Sequence, residues 1–168
     1  MEIHLAGRAR KLGDDINTDY IIASTRKRDT LDEQVLKRYL LETVDPNFAA
    51  SVQPGDLIVA GRNFGCGSAM EVAATVILAA GIRAVLAETF NRTFYRNAVN
   101  NGLIPIECDT SAIDESDRLS IEVANGKIGV RNLTSSQSLV AHRIPPLMTE
   151  ILDSGGLVPF VREHGLPR

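Results

Sequence analysis

Residues 61–68 read GRNFGCGS and run straight into the apolar stretch AMEVAATVILAA. Glycines let a backbone come close to a ligand. The amides that open a helix carry roughly +0.5 charge between them. A carboxylate or phosphate oxygen suits such a turn. Two common phosphate motifs nevertheless fail here. The phosphate loop of nucleotide hydrolases needs a glycine and a lysine where Cys66 and Gly67 stand, and the dinucleotide fingerprint needs a third glycine where Met70 stands. Ser68 has two compatible readings. With Glu71 three positions on, it forms a capping box; alternatively its hydroxyl is presented for chemistry at an anion-binding turn. Cys66 is open to three readings: metal ligand, nucleophile or packed thiol. The sequence has no Cys-x-x-Cys pair, and His4, His142 and His164 are scattered along it. One ligand does not build a metal site, so a packed thiol is expected.

Other polar residues lie upstream. GDDINTDYII, residues 13–22, carries Asp15, Thr18 and Asp19 in a pattern that favours side-chain to backbone bonds in a turn. It is followed by ASTRKRDT, residues 23–30, a polar loop holding the dense basic run Arg26-Lys27-Arg28.

The elements that must hold these residues follow from the apolar pattern. EIHLAGRARKL makes a first strand. Leu31, Val35, Leu36, Tyr39 and Leu40 have helical spacing within LDEQVLKRYLLETV. GDLIVAG, IRAVLAET and LIPIEC are short continuous apolar strands, separated by the helices AMEVAATVILAA and FNRTFYRNAVNN, which stop at Gly81 and Gly102. Strand and helix alternating with short joins predict a parallel sheet with crossover helices. RLSIEVANGKIGVRN then alternates around Asn125-Gly126, a strong hairpin signal. PPLMTEILDSGG and LVPFVREHG close as short helices. The expected class is α/β with an added β-hairpin, one domain over residues 1–168.

Composition bounds the function. The 168 residues are 44% hydrophobic and 23% charged, with net charge −3. An acidic chain does not bind nucleic acid through its backbone charge. No segment approaches the ~20 apolar residues of a membrane span, and no signal peptide is evident. Two cysteines are too few for a disulfide framework. A cytoplasmic setting is expected, with no membrane and no nucleic-acid partner.

GDDINTDYII, NFGCGS followed by a helix, and FYRNAVNNGLIPI together resemble the aconitase superfamily, and within it the separate small subunits of 3-isopropylmalate dehydratase and homoaconitase. The likeness runs over nearly the whole chain. It implies a swivelling β/β/α domain packed over a large subunit that carries a [4Fe–4S] cluster. Together the two would isomerise a 2-hydroxy acid by dehydration and rehydration. No cofactor is implied for this chain itself, since a cluster needs several thiolates. The resemblance makes Ser68 the catalytic base and puts Gly67, Ala69 and Met70 against the substrate. It places Asp15, Thr18, Asp19 and Cys66 in support. The basic loop becomes the specificity loop, with Arg26 first and Arg28 next as substrate contacts.

The chain departs from the family at one point. Where relatives read Ser-Arg after GCGS, it reads Ala69-Met70. Loss of a charge-assisted carboxylate bond of that kind costs roughly 1.5–3 kcal/mol. The alternatives it opens are another hydroxy acid, of homoaconitate or dimethylmalate type, a replacement cation from the basic run, or a non-catalytic binding module.

Overall fold

This computed structural model describes residues 2–166. Its strands are β1 (Glu2–Lys11), β2 (Leu57–Val59), β3 (Ala84–Ala87), β4 (Ile104–Glu107), β5 (Arg118–Ala124), β6 (Lys127–Asn132) and β7 (Gln137–Val140). They form a seven-stranded mixed sheet in the order β4-β3-β2-β1-β5-β6-β7. The helices are α1 (Thr18–Ile21), α2 (Glu33–Leu36), α3 (Phe48–Ser51), α4 (Glu71–Ala79), α5 (Arg92–Asn100), α6 (Pro146–Asp153) and α7 (Leu157–His164).

The expected parallel sheet is one half of the observed one. β1 to β4 pair parallel, with α4 and α5 as crossovers. The other half, β5 to β7, is antiparallel. β1 belongs to both: Glu2–Arg8 pair antiparallel with β5, and Ala9–Lys11 pair parallel with β2. The hairpin turns at Asn125 and Gly126, whose φ values of 53° and 74° are what a two-residue primed turn needs. β7 adds a strand that the polar sequence QSLV does not announce. The sheet curls until its ends meet. Cys108, just past β4, bridges Ala141, just past β7, and the His142 N–H donates to the Glu107 carbonyl at 2.8 Å.

Strand alternation divides the core. Ile58 and Val85 pack with Ala73, Ala74 and Ile77 of α4 and with Phe94 of α5. Leu57, Val59, Ala84 and Leu86 pack on the opposite side with β5, β6, α6 and α7. Burial on both faces explains why β2 and β3 read as unbroken apolar runs. Asp56, 4% exposed, precedes β2 and receives Arg8 through Nη2–Oδ2 at 2.7 Å and Nε–Oδ1 at 3.2 Å.

The helix expected over 31–44 is shorter than its spacing suggests. α2 ends at Leu36, and a single 3-10 turn covers Lys37–Tyr39. The Leu41 N–H then bonds to the Ile21 carbonyl at 2.9 Å, with Leu41 at φ 56°. That tertiary tie pulls the chain out of helix and buries Leu40 and Leu41, while Leu31 stays 73% exposed.

Candidate active site

Loops leave the carboxyl ends of β1, β2 and β3 side by side, the place where open α/β sheets hold ligands. The middle loop, residues 60–70, is bound on both flanks. Towards the β1 loop, the Gly65 N–H donates to Ile16 and the Thr18 N–H to Cys66, each at 2.8 Å. Towards the β3 loop, the Phe64 N–H donates to Thr89 at 3.0 Å and the Asn91 N–H to Phe64 at 2.9 Å. Phe64 is fully buried and meets Phe94 and Phe90 edge-on, with ring centroids 5.1 and 5.9 Å apart. The aromatic ring anchors the loop from below.

Both glycines of Gly65-Cys66-Gly67 are required. Gly65 has φ 79°, and a Cβ there would lie 2.2 Å from the Phe94 ring. Gly67 has φ 94°, and a Cβ there would lie 2.5 Å from Asn17 Oδ1. The close fit between loops therefore rests on absent side chains.

Ser68 is exposed, and its hydroxyl has no partner among the described residues. The capping box does not form. α4 begins at Glu71 with Met70 at its N-cap in extended conformation, φ −135° and ψ 110°, and no side chain caps it. The cause lies in the neighbouring loop: buried Thr18 donates its hydroxyl to the Ser68 carbonyl at 2.9 Å, which holds Ser68 away from the helix start. The amides of Gly67, Ser68 and Ala69 likewise have no protein acceptor among the described residues. An unbonded hydroxyl and free amides on a braced loop can receive an anionic, proton-bearing ligand.

The flanking residues hold this geometry. Asp15, at φ 54°, accepts from Asn63 Nδ2 at 2.9 Å. Asp19 accepts from the Ser24 hydroxyl at 2.5 Å and the Ser24 N–H at 2.8 Å, and the hydroxyl bond above all holds its carboxyl below the usual range. Asp19 thus closes the turn from which the basic run departs. Asn17 caps α1 by accepting the Asp19 N–H at 2.9 Å and lies directly beneath Gly67. Sequence reading passed over it, although Asn ahead of Thr-Asp is an N-cap signal. Cys66 is half-buried; burial first, then the Asp15 charge, pushes its thiol pKa up, as befits a packed, protonated thiol.

The basic run forms a 3-10 turn over Arg26–Arg28 and disperses its three side chains. Arg26 is committed to Glu42, Nε–Oε1 at 2.8 Å and Nη2–Oε2 at 3.0 Å, and lies 3.9 Å over the Tyr39 ring. Arg28 is exposed, and its side chain makes no bond to any described residue. Lys27 is the one that reaches the central loop, where its Nζ donates to Met70 Sδ.

Among the described residues no group of three or more His, Cys, Asp and Glu is placed to hold a metal ion. Cys66 lies in the loop and Cys108 is buried past β4. These residues do not fit an iron–sulfur cluster, which takes several thiolates. No helix among the described residues is long and apolar enough to cross a membrane. A separate cleft of about 630 Å³ is lined by Asn125, Arg143, Pro145, Glu150 and neighbours, none of them on these loops.

Comparison with known proteins gives the family and the fold. The aconitase C-terminal domain family matches residues 9–111. The chain belongs to that family. The 3-isopropylmalate dehydratase small subunit of Oleidesulfovibrio alaskensis is 46% identical over 160 residues, 94% of each chain. The isopropylmalate/citramalate isomerase small subunit of Methanocaldococcus jannaschii is 40% identical over 161 residues, 95% of this chain and 94% of that one. The crystal structure of 3-isopropylmalate dehydratase from M. jannaschii superposes with a TM-score of 0.89 at 40% identity, covering 96% of this chain and 95% of that chain. The family resemblance carried by NFGCGS and GDDINTDYII is thus established for the aconitase C-terminal domain fold.

Proposed function

We propose that this member of the aconitase C-terminal domain family is the small subunit of a heteromeric hydro-lyase that isomerises 3-isopropylmalate, a step of leucine biosynthesis. Residues 1–168 act as one domain that closes over a large subunit in the cytoplasm. The [4Fe–4S] cluster belongs to that partner and supplies a Lewis acid for the departing hydroxyl. Small subunits named as 3-isopropylmalate dehydratase match the chain at 42–46% identity over 93–96% of its length, which supports the assignment.

The observation that carries the reading is the exposed Ser68 hydroxyl, which with the Gly67, Ser68 and Ala69 amides has no bonding partner among the described residues. Ser68 Oγ takes the proton from the carbon next to the hydroxyl-bearing one. It returns that proton when water adds back at the neighbouring carbon. A serine is a weak base unless its alkoxide-like form is stabilised. The amides of Gly67 and Ala69 and the charge of the basic run do this in a closed site from which water is excluded. Thr18 fixes where Ser68 stands, and Asp15 and Asp19 hold the flanking turn. Arg28 is free to reach the substrate's variable arm. Arg26 reaches it only by leaving Glu42.

The test is reconstitution. The chain mixed anaerobically with its cognate large subunit should convert 3-isopropylmalate, through the unsaturated acid, into the isomer with its hydroxyl shifted. The chain alone should show no turnover. Conversion of a different hydroxy acid in preference to isopropylmalate would move the substrate assignment, and turnover by the chain alone would overturn the two-subunit reading.

A further inference from the structure

We propose that Lys27 is a specificity-determining residue that binds a substrate carboxylate beside Ser68, an inference that rests on the hydro-lyase reading above. Lys27 is half-buried, and its ammonium donates to the Met70 thioether. A thioether is a weak acceptor, whereas an ammonium carries three donors. A charge withdrawn from water needs a stronger partner than that. No carboxylate among the described residues forms an ion pair with Lys27. Asp19 feels its charge, but Asp19 Oδ1 is already taken by Ser24. The protein thus holds a cation partly out of solvent without a direct ion pair among the described residues, Asp19 acting on it only at longer range.

Its position decides what the anion is. Met70 lies two residues beyond Ser68, on the loop whose Gly67, Ser68 and Ala69 amides have no protein acceptor. Arg26 is held by Glu42 and Tyr39, and Arg28 makes no contact with that loop. Lys27 is therefore the cation of the run that reaches the loop carrying the Ser68 hydroxyl. A carboxylate attached next to the carbon that loses its proton would take the ammonium together with the Ser68 amide, which leaves the Gly67 and Ala69 amides to the Ser68 oxygen. The thioether yields easily, because methionine repacks and gives up only a weak bond. A lysine acts as a point charge and not as a planar fork. It therefore tolerates carboxylates set at different angles, and so acids that differ in the arm beyond.

Two measurements decide it. In the reconstituted enzyme, Lys27→Gln should lower kcat/KM for the hydroxy acid about 10- to 100-fold, the loss expected for one charge-assisted bond. Adding Met70→Arg to Lys27→Gln should recover at least tenfold; a lysine that merely braced its own loop would not be rescued from position 70. Lys27→Gln within twofold of the parent, or no rescue, overturns the proposal. The second measurement needs no turnover. Malate titrated into the isolated chain should shift the amide NMR signals of Gly67, Ser68 and Ala69, and Lys27→Gln should weaken that binding at least tenfold. Equal malate binding in both chains, or none in the parent, overturns the proposal. Failure of the parent chain to turn over with any large subunit would instead sink the hydro-lyase reading and leave the malate result to judge Lys27.

Discussion

Ser68 and Thr18 act on one loop through different atoms, the first through a hydroxyl with no bonding partner among the described residues and the second through a hydroxyl that grips its neighbour's carbonyl. Their substitutions should therefore separate. Ser68→Ala should lower kcat of the reconstituted enzyme by about 10²–10⁴-fold while moving stability by less than about 0.5 kcal/mol, as for an exposed side chain without partners. Unchanged turnover would remove Ser68 from the chemistry. Thr18→Val should cost about 1 kcal/mol in urea melts and also slow turnover, whereas Thr18→Ser keeps the bond and should restore both. At this scale the sequence was legible where the candidate site is one contiguous motif, as in the tight turn at Gly65-Cys66-Gly67-Ser68. It offered the basic run as a source of a replacement cation for Met70 but did not single out Lys27, because no spacing rule says which of three adjacent residues meets a loop so far along the chain. Placing Arg26 first and Arg28 next as substrate contacts took no account of Glu42, which bonds Arg26 in this structure.

The loops and short helices show where local pattern yields to tertiary contact. Apolar spacing over 31–44 promises a helix, yet the bond from Leu41 to Ile21 ends it early. Ser68 to Glu71 promises a capping box, yet the bond from Thr18 holds the serine outside the helix. Both misreadings occur where loops pack on one another, and α4 and α5, which pack on the sheet, were read correctly. The loop fit itself is testable. Gly67→Ala would bring a Cβ against Asn17 at a positive φ, and should cost about 1–3 kcal/mol with loss of turnover. Retained stability would mean that the loops are not locked together. The link from β1 to β2 predicts a pH dependence. Burial raises the Asp56 pKa, but the hydrogen bonds from Arg8 and the Gln53 N–H, with the nearby Arg8 and Arg10 charges, outweigh it and leave the carboxyl below its ordinary value. A depressed folded pKa stabilises above the unfolded value, near 3.9, and that stability is lost as pH falls through the folded value. Asp56→Asn should thus cost about 3 kcal/mol near neutrality, as for one partner of a buried pair, and progressively less below about pH 4. Urea melts across that range would reveal a cost that does not shrink.

β1 joins two sheet halves of opposite sense, with Ala9 to Lys11 on the parallel side and Glu2 to Arg8 on the antiparallel side. The parallel half was legible because β2, β3 and β4 are buried runs between glycine-stopped helices. The hairpin was legible from Asn125-Gly126. The shared strand was not, because pairing partners far apart in sequence leave no periodic trace, and β7 is too polar to announce itself. Shared use of β1 predicts a single cooperative urea transition for the isolated chain, with fluorescence and circular dichroism coinciding; two separated transitions would mean that the halves stand independently. The meeting of Cys108 with Ala141 has a further consequence for a subunit that waits for its partner. Bare rims of backbone donors invite copies to stack edge to edge, and here the outermost strands are stitched together at one corner, while Pro105 removes a donor from the β4 rim. Surplus copies made ahead of the large subunit should therefore remain dispersed instead of fibrillating, a safeguard built into the curl of the sheet itself.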